Sequence, residues 1–529
     1  MYMNFTESLQ KIRIGSGLSQ EQFAQAIDVS RQAVQKWETG ASKPGIEHLI
    51  KISKYFGVSV DSIIFGNERR EEEELTKSSP IFPDYNALPP WEMYAQELEV
   101  EYRQCVEEGK DISMYKDLFE AVARMPKTQE KKKIADELFS LISNAPQTAD
   151  YKYNEPSELA RIKGLRQQCT SNSERKDKIK DIEKKISGAW YGRIAGCLLG
   201  KTVECIRTPE LKRLLKVSGN YPMHRYIRAS DVTEQMYRDF KFNFKGRCFA
   251  DKISCAPSDD DTNYTVLASV LIDKYGRDFT PANVLQLWTE AQPKSAYCTA
   301  ERVAFCNAVK GYVPPYSAVY QNPYREWIGA QIRADYFGYI NPGNPEAAAE
   351  MAFKDASISH VKNGIYGEMF VAAMISFAAV CDDITEIVNA GMSQIPSTSR
   401  LYEAVKHILD GFSDGVDEKE AFERIHSEYD EFNGHDWCHV ISNCLIVVAS
   451  LLYGKGDFGK SICLAVQTGF DTDCNGATVG SVLGMRGGES CIGEEWKKPI
   501  NGKLDTTIFG VGRVSIEDLV KKTMKHIAQ

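Results

Sequence analysis

The chain has 529 residues, 43% of them hydrophobic and 26% charged, and a net charge of −9 at pH 7. These values are ordinary for globular protein, and the length allows roughly two to four domains. No apolar run reaches the ~18 residues that span a bilayer, and no signal-peptide pattern is visible, so we exclude a membrane protein and expect a cytoplasmic one. The acidic balance argues against nucleic-acid binding along the whole chain but not against one small module. The 14 cysteines form no CxxC pair, which favours reduced, buried thiols.

Residues 1–66 contain five short helical patterns. Ser19 is followed by Gln22 three residues later, which is the spacing of a capping box, and Ser30 precedes a second helical run. The segment between the two runs, residues 26–29, is short enough for the turn of a helix-turn-helix motif.

This module resembles the helix-turn-helix family of lambda-repressor and Cro type, on the runs at 18–24 and 29–40. In that family the helix after the turn enters the major groove of double-stranded DNA. The resemblance therefore assigns DNA contacts to Gln20, Arg31, Gln32, Gln35 and Lys36. Because the module has seven Lys/Arg and six Asp/Glu, we expect binding to require a homodimer on two half-sites. The alternative is a helical protein-interaction module that no longer binds DNA.

The rest of the chain divides into three predicted segments. Residues 67–90, with an acidic run at 68–74, are typical of an exposed linker. Residues 91–154 have apolar side chains at helical spacing, which predicts a spacer that serves either for dimerisation or as a cap on the next domain. From 155 to 529 helical periodicity dominates and strand signals are weak, so we predict an all-α fold throughout.

A glycine stripe marks the start of the large domain. Glycines at 188, 192, 196 and 200 recur every fourth residue and so share one helix face. Each reduces helix stability by about 1 kcal/mol relative to alanine, so we expect another helix or a ligand to pack against the stripe. Glu204 follows the last glycine by four residues and could point into the site beside it.

Two acidic clusters stand at the starts of apolar segments. Residues 259–262 read Asp-Asp-Asp-Thr, and residues 471–475 read Asp-Thr-Asp-Cys-Asn. Helix starts favour carboxylates, and a single such cluster is usually a solvent-exposed N-cap. If the two starts face each other, the carboxylates cannot all stay ionised without cations. Mg²⁺ or Mn²⁺ are the ions that oxygen ligands of this kind prefer, so we predict a two-part metal site.

Between the acidic clusters lie glycine-containing stretches at 328–334 and 359–370. Such loops can offer backbone N–H groups to phosphates, and Tyr366 could stack on a nucleobase. Each of these signals is weak alone, because His360 and Tyr366 could equally be ordinary core residues.

Taken in order, these features resemble the ADP-ribosylglycohydrolase family from about residue 155 to residue 496. The resemblance implies an all-α fold with two Mg²⁺ or Mn²⁺ ions in a cleft, where they grip the ribose that carries the scissile bond. The family's glutamate falls on Glu204, and its two acidic motifs fall on residues 259–262 and 471–474. The implied phosphate and adenosine contacts are Gly329, Ala330, His360, Asn363, Gly364 and Tyr366.

The resemblance implies two departures at metal positions, where Asp259 and Cys474 stand in place of threonine. Residues 258–260, Ser-Asp-Asp, are therefore a competing register for the first motif. A thiol is a poor ligand for a hard ion, so water, Asn475 or the carboxylate of Asp259 would have to complete the set. These departures bear on the identity and affinity of one metal.

The resemblance implies hydrolysis of an N- or O-glycosidic bond at C1″ of ADP-ribose carried by a protein, a nucleic acid or a small molecule. The expected metal ligands are Asp259, Asp260, Asp261, Asp471, Asp473 and Cys474. Asp260 and Asp261 are also candidate catalytic carboxylates, and Glu204 is expected to position or activate water or to gate the cleft. Two alternatives remain: a transcriptional regulator that only senses ADP-ribose or a related nucleotide, and a dinuclear hydrolase of another substrate.

Overall fold

A computed structural model describes residues 5–65, 82–167 and 180–529. The chain divides into two compact units, residues 1–83 and 84–529. Within the described ranges, every helix is too short or too polar to cross a membrane. The acidic run at 68–74, predicted as part of the 67–90 linker, lies outside the described residues.

The first unit contains the five predicted helices. They are α1 (Phe5–Gly15), α2 (Gln20–Ala26), α3 (Arg31–Glu38), α4 (Ile46–Phe56) and α5 (Val60–Phe65). The capping box is confirmed, because Gln22 N donates to Ser19 Oγ at 3.2 Å and Ser19 N donates to Gln22 Oε1 at 2.9 Å. Phe23, Val34 and Trp37 are buried in the centre of the unit and hold α2 against α3.

The second unit begins with α6 (Leu98–Glu107), α7 (Lys116–Ala123) and α8 (Gln129–Ser143). Buried ion pairs connect α6 to a distant loop of the same unit. Arg325 in that loop lies 3.0 Å from Glu101 within α6 and 2.6 Å from Glu108 directly after it. Removing one partner of such a pair leaves an unpaired buried charge, which costs about 3–5 kcal/mol. These helices therefore pack on the rest of the unit, and the domain boundary at residue 154 stays a prediction.

The remaining elements are almost all helical, as expected for an all-α fold. They are α9 (Leu159–Gly164), α10 (Ile182–Lys201), α11 (Thr208–Val217), α12 (Glu234–Asp239), α13 (Asp260–Tyr275), α14 (Pro281–Ala291), α15 (Thr299–Val309), α16 (Tyr316–Val319), α17 (Asp335–Tyr339), α18 (Pro345–Ala356), α19 (Lys362–Ala378), α20 (Ile384–Met392), α21 (Arg400–Ser413), α22 (Glu418–Glu428), α23 (Gly434–Cys438), α24 (Val440–Gly454), α25 (Phe458–Gln467), α26 (Thr472–Gly487), α27 (Glu494–Lys497), β1 (Lys503–Asp505), β2 (Arg513–Ser515) and α28 (Ile516–Ile527).

One small sheet departs from the all-α expectation. Strands β1 and β2 pair antiparallel, with Lys503 opposite Ser515 and Asp505 opposite Arg513. Three residues per strand are too few to leave a period-two pattern in the sequence. The hairpin is stabilised by an ion pair across the two strands, in which Arg513 lies 2.6 Å from Asp505.

Helices α10 and α26 pack glycine against glycine along the predicted stripe. A Cβ atom added to Gly192 would lie 2.1 Å from the carbonyl oxygen of Gly480, and one added to Gly196 would lie 1.9 Å from that of Gly476. At the end of α10, a Cβ on Gly200 would lie 2.2 Å from the carbonyl oxygen of Thr472. The stripe is therefore filled by another helix rather than by a ligand, and the two backbones are in direct contact.

We expect Gly196→Ala to destabilise the protein, because its methyl group would overlap the backbone of α26. Overpacking of this kind costs about 1–3 kcal/mol or more, which exceeds the roughly 1 kcal/mol that alanine gains in helix propensity. Gly164→Ala is the matched control, because nothing lies within 4 Å of its added Cβ. Chemical denaturation followed by circular dichroism would measure both, and equal stability would contradict a backbone contact between α10 and α26.

Candidate functional site

Both acidic clusters lie at helix starts, as the sequence predicts. Asp259 is the N-cap of α13, and its Oδ1 accepts the backbone N–H of Asp261 at 2.9 Å. Asp471 occupies the cap position of α26, and Asp473 lies in its first turn. In α13 a first-turn N–H group thus binds a carboxylate directly, whereas Asp471 makes no side-chain cap hydrogen bond in α26. In both helices the positive end of the helix dipole stabilises negative charge there.

The glycine contact brings the second cluster to the end of α10. The hydroxyl of Thr472 donates to the carbonyl of Gly200 at 3.0 Å. Glu204, four residues after Gly200, lies close enough for its charge to raise the pKa of both Asp471 and Asp473. The structure therefore brings Glu204 and the second cluster together, although more than 260 residues separate them.

Two triads of possible metal ligands result from this packing. Within each triad, one ligand atom from every residue lies within 4.8 Å of the others. The triads are Cys197, Asp259 and Asp261, and Asp471, Asp473 and Cys474. All six side chains are buried, so their charges are poorly screened by water.

The electrostatics of the triads fit bound cations. Burial raises the pKa of Asp471 to about 7, with a further contribution from Glu204. Burial, followed by the charges of Glu204 and Asp259, also raises the pKa of Asp473. Among the described residues, Asp261 Oδ2 and Asp473 Oδ1 are buried without a hydrogen-bond partner. Buried carboxylate oxygens without partners are unusual, and an oxygen-seeking cation would satisfy both.

Two basic side chains of α10 already neutralise part of this charge. Arg193 is fully buried, and its guanidinium lies 3.1 Å from Asp261 and 2.9 Å from Asp335. Lys201 Nζ lies 2.5 Å from Asp259 Oδ2. Although burial alone would raise the pKa of Asp259, the Lys201 ammonium lowers it. Asp259 and Asp261 thus each have a counter-charge from α10.

The sequence interpretation missed Arg193, Cys197 and Lys201. A signal was present, because these residues recur every fourth position, each directly after a glycine of the stripe. That spacing places them on a helix face next to the stripe, which is the face that meets the first acidic cluster.

Asn443 is another contributor that the sequence did not indicate. Its Oδ1 accepts the backbone N–H of Asp471 at 3.1 Å and the side-chain amide of Asn475 at 2.8 Å. Asn443 lies within the apolar helix α24, and only the folded chain brings it to the start of α26.

Exposure divides the carboxylates into two sets. Glu204 and Asp260 are partly exposed, whereas Asp259, Asp261 and Asp473 are buried. A substrate that approaches the site would therefore meet Glu204 and Asp260 first, with the buried carboxylates beneath them.

The residues expected to contact phosphate and adenosine are buried. Tyr366 is fully enclosed, and its hydroxyl donates to the carbonyl of Pro156, so it packs in the core, which is the second of the two roles that the sequence allows. The amide of Asn363 donates to Glu155 at 2.8 Å and to Glu326 at 2.9 Å. These contacts form a buried polar network, and none of the described hydrogen bonds connects Asn363 or Tyr366 to the acidic triads.

The other members of that set are equally enclosed. His360 Nδ1 lies 2.8 Å from Ser359 Oγ, and Gly364 packs against the backbone of Arg325. Gly329 lies directly against the Glu301 carboxylate, and the neighbouring Ala330 is fully buried. Contact of these residues with a ligand remains a prediction.

The first unit presents a polar surface on α3. Arg31, Gln32, Gln35 and Lys36 are exposed on this helix, on the side opposite the buried Trp37. Gln20 differs from them, because its side-chain amide donates to Glu38 Oε2 at 2.8 Å. Glu38 also pairs with Arg13 at 2.6 Å, so this network fixes the start of α2 against the end of α3.

Comparisons with known proteins match two different parts of the chain. The chain is 42% identical over 86 residues to the HTH-type transcriptional activator BcrR of Enterococcus faecalis, a match that covers 16% of this chain and 42% of that protein. It is 31% identical over 86 residues to the SPbeta prophage-derived uncharacterized HTH-type transcriptional regulator YonR of Bacillus subtilis (strain 168), covering 16% of this chain and 80% of YonR. The chain thus spans less than half the length of the first of these relatives.

A solved structure described as an ADP-ribosylglycohydrolase-related protein complex is similar over 66% of this chain and 99% of its own, with 16% identity and a TM-score of 0.43. A helix-turn-helix family matches residues 9–63, and the ADP-ribosylglycohydrolase family matches residues 178–528, about two thirds of the chain. The protein therefore belongs to the ADP-ribosylglycohydrolase family and carries a helix-turn-helix module of the transcription-regulator type ahead of that domain.

Proposed function

We propose that this protein is a hydrolase that uses two Mg²⁺ or Mn²⁺ ions to release ADP-ribose from a modified protein, nucleic acid or small molecule. We further propose that residues 1–66 tie this activity to double-stranded DNA. The observation that carries the proposal is the pair of buried triads with unpartnered carboxylate oxygens, overlaid by the partly exposed Glu204 and Asp260.

The cations would be held by Asp260, Asp261, Asp471 and Asp473, with Asp259 and Cys474 at the two positions that depart from the family. When bound, they supply Lewis acidity that polarises a water molecule and the ribose hydroxyls. The buried ion pair with Arg193 holds Asp261 in place, and the amide of Asn443 fixes the backbone of Asp471.

The residues of the chain itself would carry the proton and charge transfers. Glu204 lies at the open side of the site, where it can accept a proton from the attacking water. The transition state of glycoside hydrolysis has positive charge on the sugar ring, so the surrounding carboxylates stabilise it more than they stabilise the bound substrate. Asp260, the other partly exposed carboxylate, is the candidate closest to the ribose.

A second function is favoured by the ion pair between Lys201 and Asp259 and by the thiols of Cys197 and Cys474. An ammonium group and thiols within the triads weaken the affinity for hard ions. As such a sensor, the large domain would bind ADP-ribose or a related nucleotide without efficient turnover and would control the affinity of the protein for DNA. Linkage then requires DNA to change the nucleotide affinity by the same factor.

Metal binding can be tested without an activity assay. We expect Mn²⁺ or Mg²⁺ to raise the unfolding temperature of the full-length protein, because a ligand at 100 times its Kd adds about 2.7 kcal/mol of stability. Asp473→Asn should reduce this rise strongly, whereas Asp278→Asn, an exposed control, should leave it unchanged.

The same experiment has a defined pH dependence. Folding raises the pKa of Asp471 from 3.8 to about 7, so the native state binds more protons than the unfolded chain between those values. The chelator-treated protein should therefore lose stability as the pH rises through this window, and the stabilisation by added cation should grow over it. A metal effect that is equal at both ends of the window would contradict the proposed ligands.

Turnover should depend on the same carboxylates. We expect release of free ADP-ribose from ADP-ribosyl-arginine protein to require Mg²⁺ or Mn²⁺, to stop with chelator, and to be abolished in Asp473→Asn and Asp260→Asn while circular dichroism is unchanged. Asp278→Asn again serves as the control. Nucleotide binding without release in the wild type would favour the sensor, and unchanged turnover in both variants would exclude the site.

DNA binding should depend on the exposed face of α3. Arg31→Ala and Lys36→Ala each remove a positive charge that would neutralise a DNA phosphate, so each should reduce the slope of log K against log salt by about 1. Gln35→Ala should instead relax the sequence preference selected from a random DNA pool. Lys54→Ala removes the same charge from an exposed position of α4 and is the control; an equal effect of all variants would contradict a specific interface on α3.

A further inference from the structure

A large cavity lies beside α21, outside the set of residues that forms the acidic triads. It has a volume of about 830 Å³ and is enclosed mainly by α21, α22 and the first half of α24, with Glu107 at the end of α6 also in its lining. None of the six triad residues lines it, and neither does Glu204. A volume of this size is typical of sites for small organic molecules.

The cavity combines apolar walls with an acidic mouth. The walls are formed by Ile408, Val416, Ile425, Ile441 and Leu445. Asp410, Asp414 and Glu428 stand exposed at the rim. Of these, Asp414 and Glu428 form no ion pair with any of the described residues.

The charge of the lining selects the class of ligand. Six carboxylates border the cavity against two guanidinium groups, those of Arg400 and Arg424. Both guanidinium groups are already paired, Arg400 with Glu326 at 2.6 Å and Arg424 with Glu420 at 2.6 Å. Four of the carboxylates are paired as well: Glu107 and Asp436 with Arg103, Glu403 with Lys152, and Asp410 with Lys406. The two unpaired carboxylates at the mouth, Asp414 and Glu428, therefore set its charge. A phosphate-bearing ligand such as ADP-ribose would be repelled here, whereas a cation would be attracted.

A buried hydrogen-bond donor belongs to the wall of the cavity. His439 is 2% exposed, lines the cavity and has no hydrogen-bond partner for Nε2 among the described residues. Its Nδ1 accepts the backbone N–H of Ile441 at 3.2 Å, so the single proton of the neutral ring is on Nε2. The nearest carboxylate oxygen, Glu107 Oε2, is 3.5 Å away. An unsatisfied buried N–H of this kind calls for an acceptor.

His435 lies beside His439 and Glu107, and the three together could suggest a metal site. The hydrogen bonds argue against one. His435 Nδ1 lies 3.1 Å from Trp327 Nε1, which can only donate, so its Nε2 carries the proton and donates to Glu107 at 3.0 Å. A histidine that binds a metal through Nε2 needs a proton on Nδ1 and an acceptor beside it. In both histidines a donor occupies that place.

We propose that this cavity binds a small organic cation with an apolar body, whose ammonium or guanidinium group lies at the acidic mouth and whose other end accepts a hydrogen bond from His439 Nε2. No residue of its lining is among those proposed to hold the metals or ADP-ribose. It would give the protein a second ligand of a different chemical class.

The test uses two probes that differ only in charge. Tyramine has an ammonium group, an aromatic body and a hydroxyl at the far end, and 4-hydroxyphenylacetate has a carboxylate in place of the ammonium. Isothermal titration calorimetry on the full-length protein at neutral pH and low salt should detect binding of tyramine but not of the anion. The addition of chelator should not change the result.

Single substitutions test whether tyramine binds in this cavity. Asp414→Asn should weaken tyramine binding about two- to fivefold, as expected for a partly exposed ion pair. His439→Asn keeps an N-cap on α24 but removes the Nε2–H, and should weaken it about two- to tenfold. Glu137→Gln, at an exposed position of α8 outside the cavity, is the matched control and should have no effect. Asp473→Asn should also bind normally.

Several outcomes would overturn the proposal: no binding of tyramine at millimolar concentration, equal binding of both probes, or binding that is abolished in Asp473→Asn and retained in Asp414→Asn and His439→Asn. The last result would place the cation in the metal cleft. None of these outcomes depends on whether the protein hydrolyses ADP-ribosyl bonds.

Discussion

The contact between the backbones of α10 and α26 is the constraint on which the rest of the site depends. Side chains normally keep helix axes 8–10 Å apart, but glycines at every fourth position of both helices remove that spacer. The ends of the two helices are then held side by side by direct backbone contact. Glu204 follows the end of α10 and Asp473 lies in the first turn of α26, so main-chain contact sets the distance between the backbones that carry these carboxylates.

A second consequence is electrostatic. The packing places more negative charge below the surface than the protein alone can neutralise: Arg193 and Lys201 each pair with one acid of the first cluster, while Asp473 keeps a free oxygen. A rigid scaffold cannot relieve this repulsion by spreading the acids apart. The remaining routes are protonation, which the raised pKa values reflect, or a bound cation. The acidic cavity on α24 differs, because its carboxylates lie at an open rim where water screens them.

The parts of this arrangement that sequence reasoning predicted are those with a local cause. The spacing of the glycines, the carboxylates at the starts of α13 and α26, and the Ser19 capping box all follow from helix geometry. Interactions between distant segments were missed, such as the amide of Asn443 on Asp471. The sequence alone could not decide the burial of Tyr366 for the same reason: it allowed either a ligand contact or a core position, and the fold covers this residue with Pro156 from a segment about two hundred residues earlier.

The distance in sequence between the two halves of the site also sets an order of events during synthesis. The DNA-binding unit is complete once its 65 residues have left the ribosome, and it has its own core. The glycines of α10 follow soon after but have no partner until α26 is made, close to 300 residues later. A chain interrupted anywhere in that interval would be able to occupy DNA while lacking the carboxylates of α26. Truncated products would therefore carry a complete helix-turn-helix unit without the second acidic cluster.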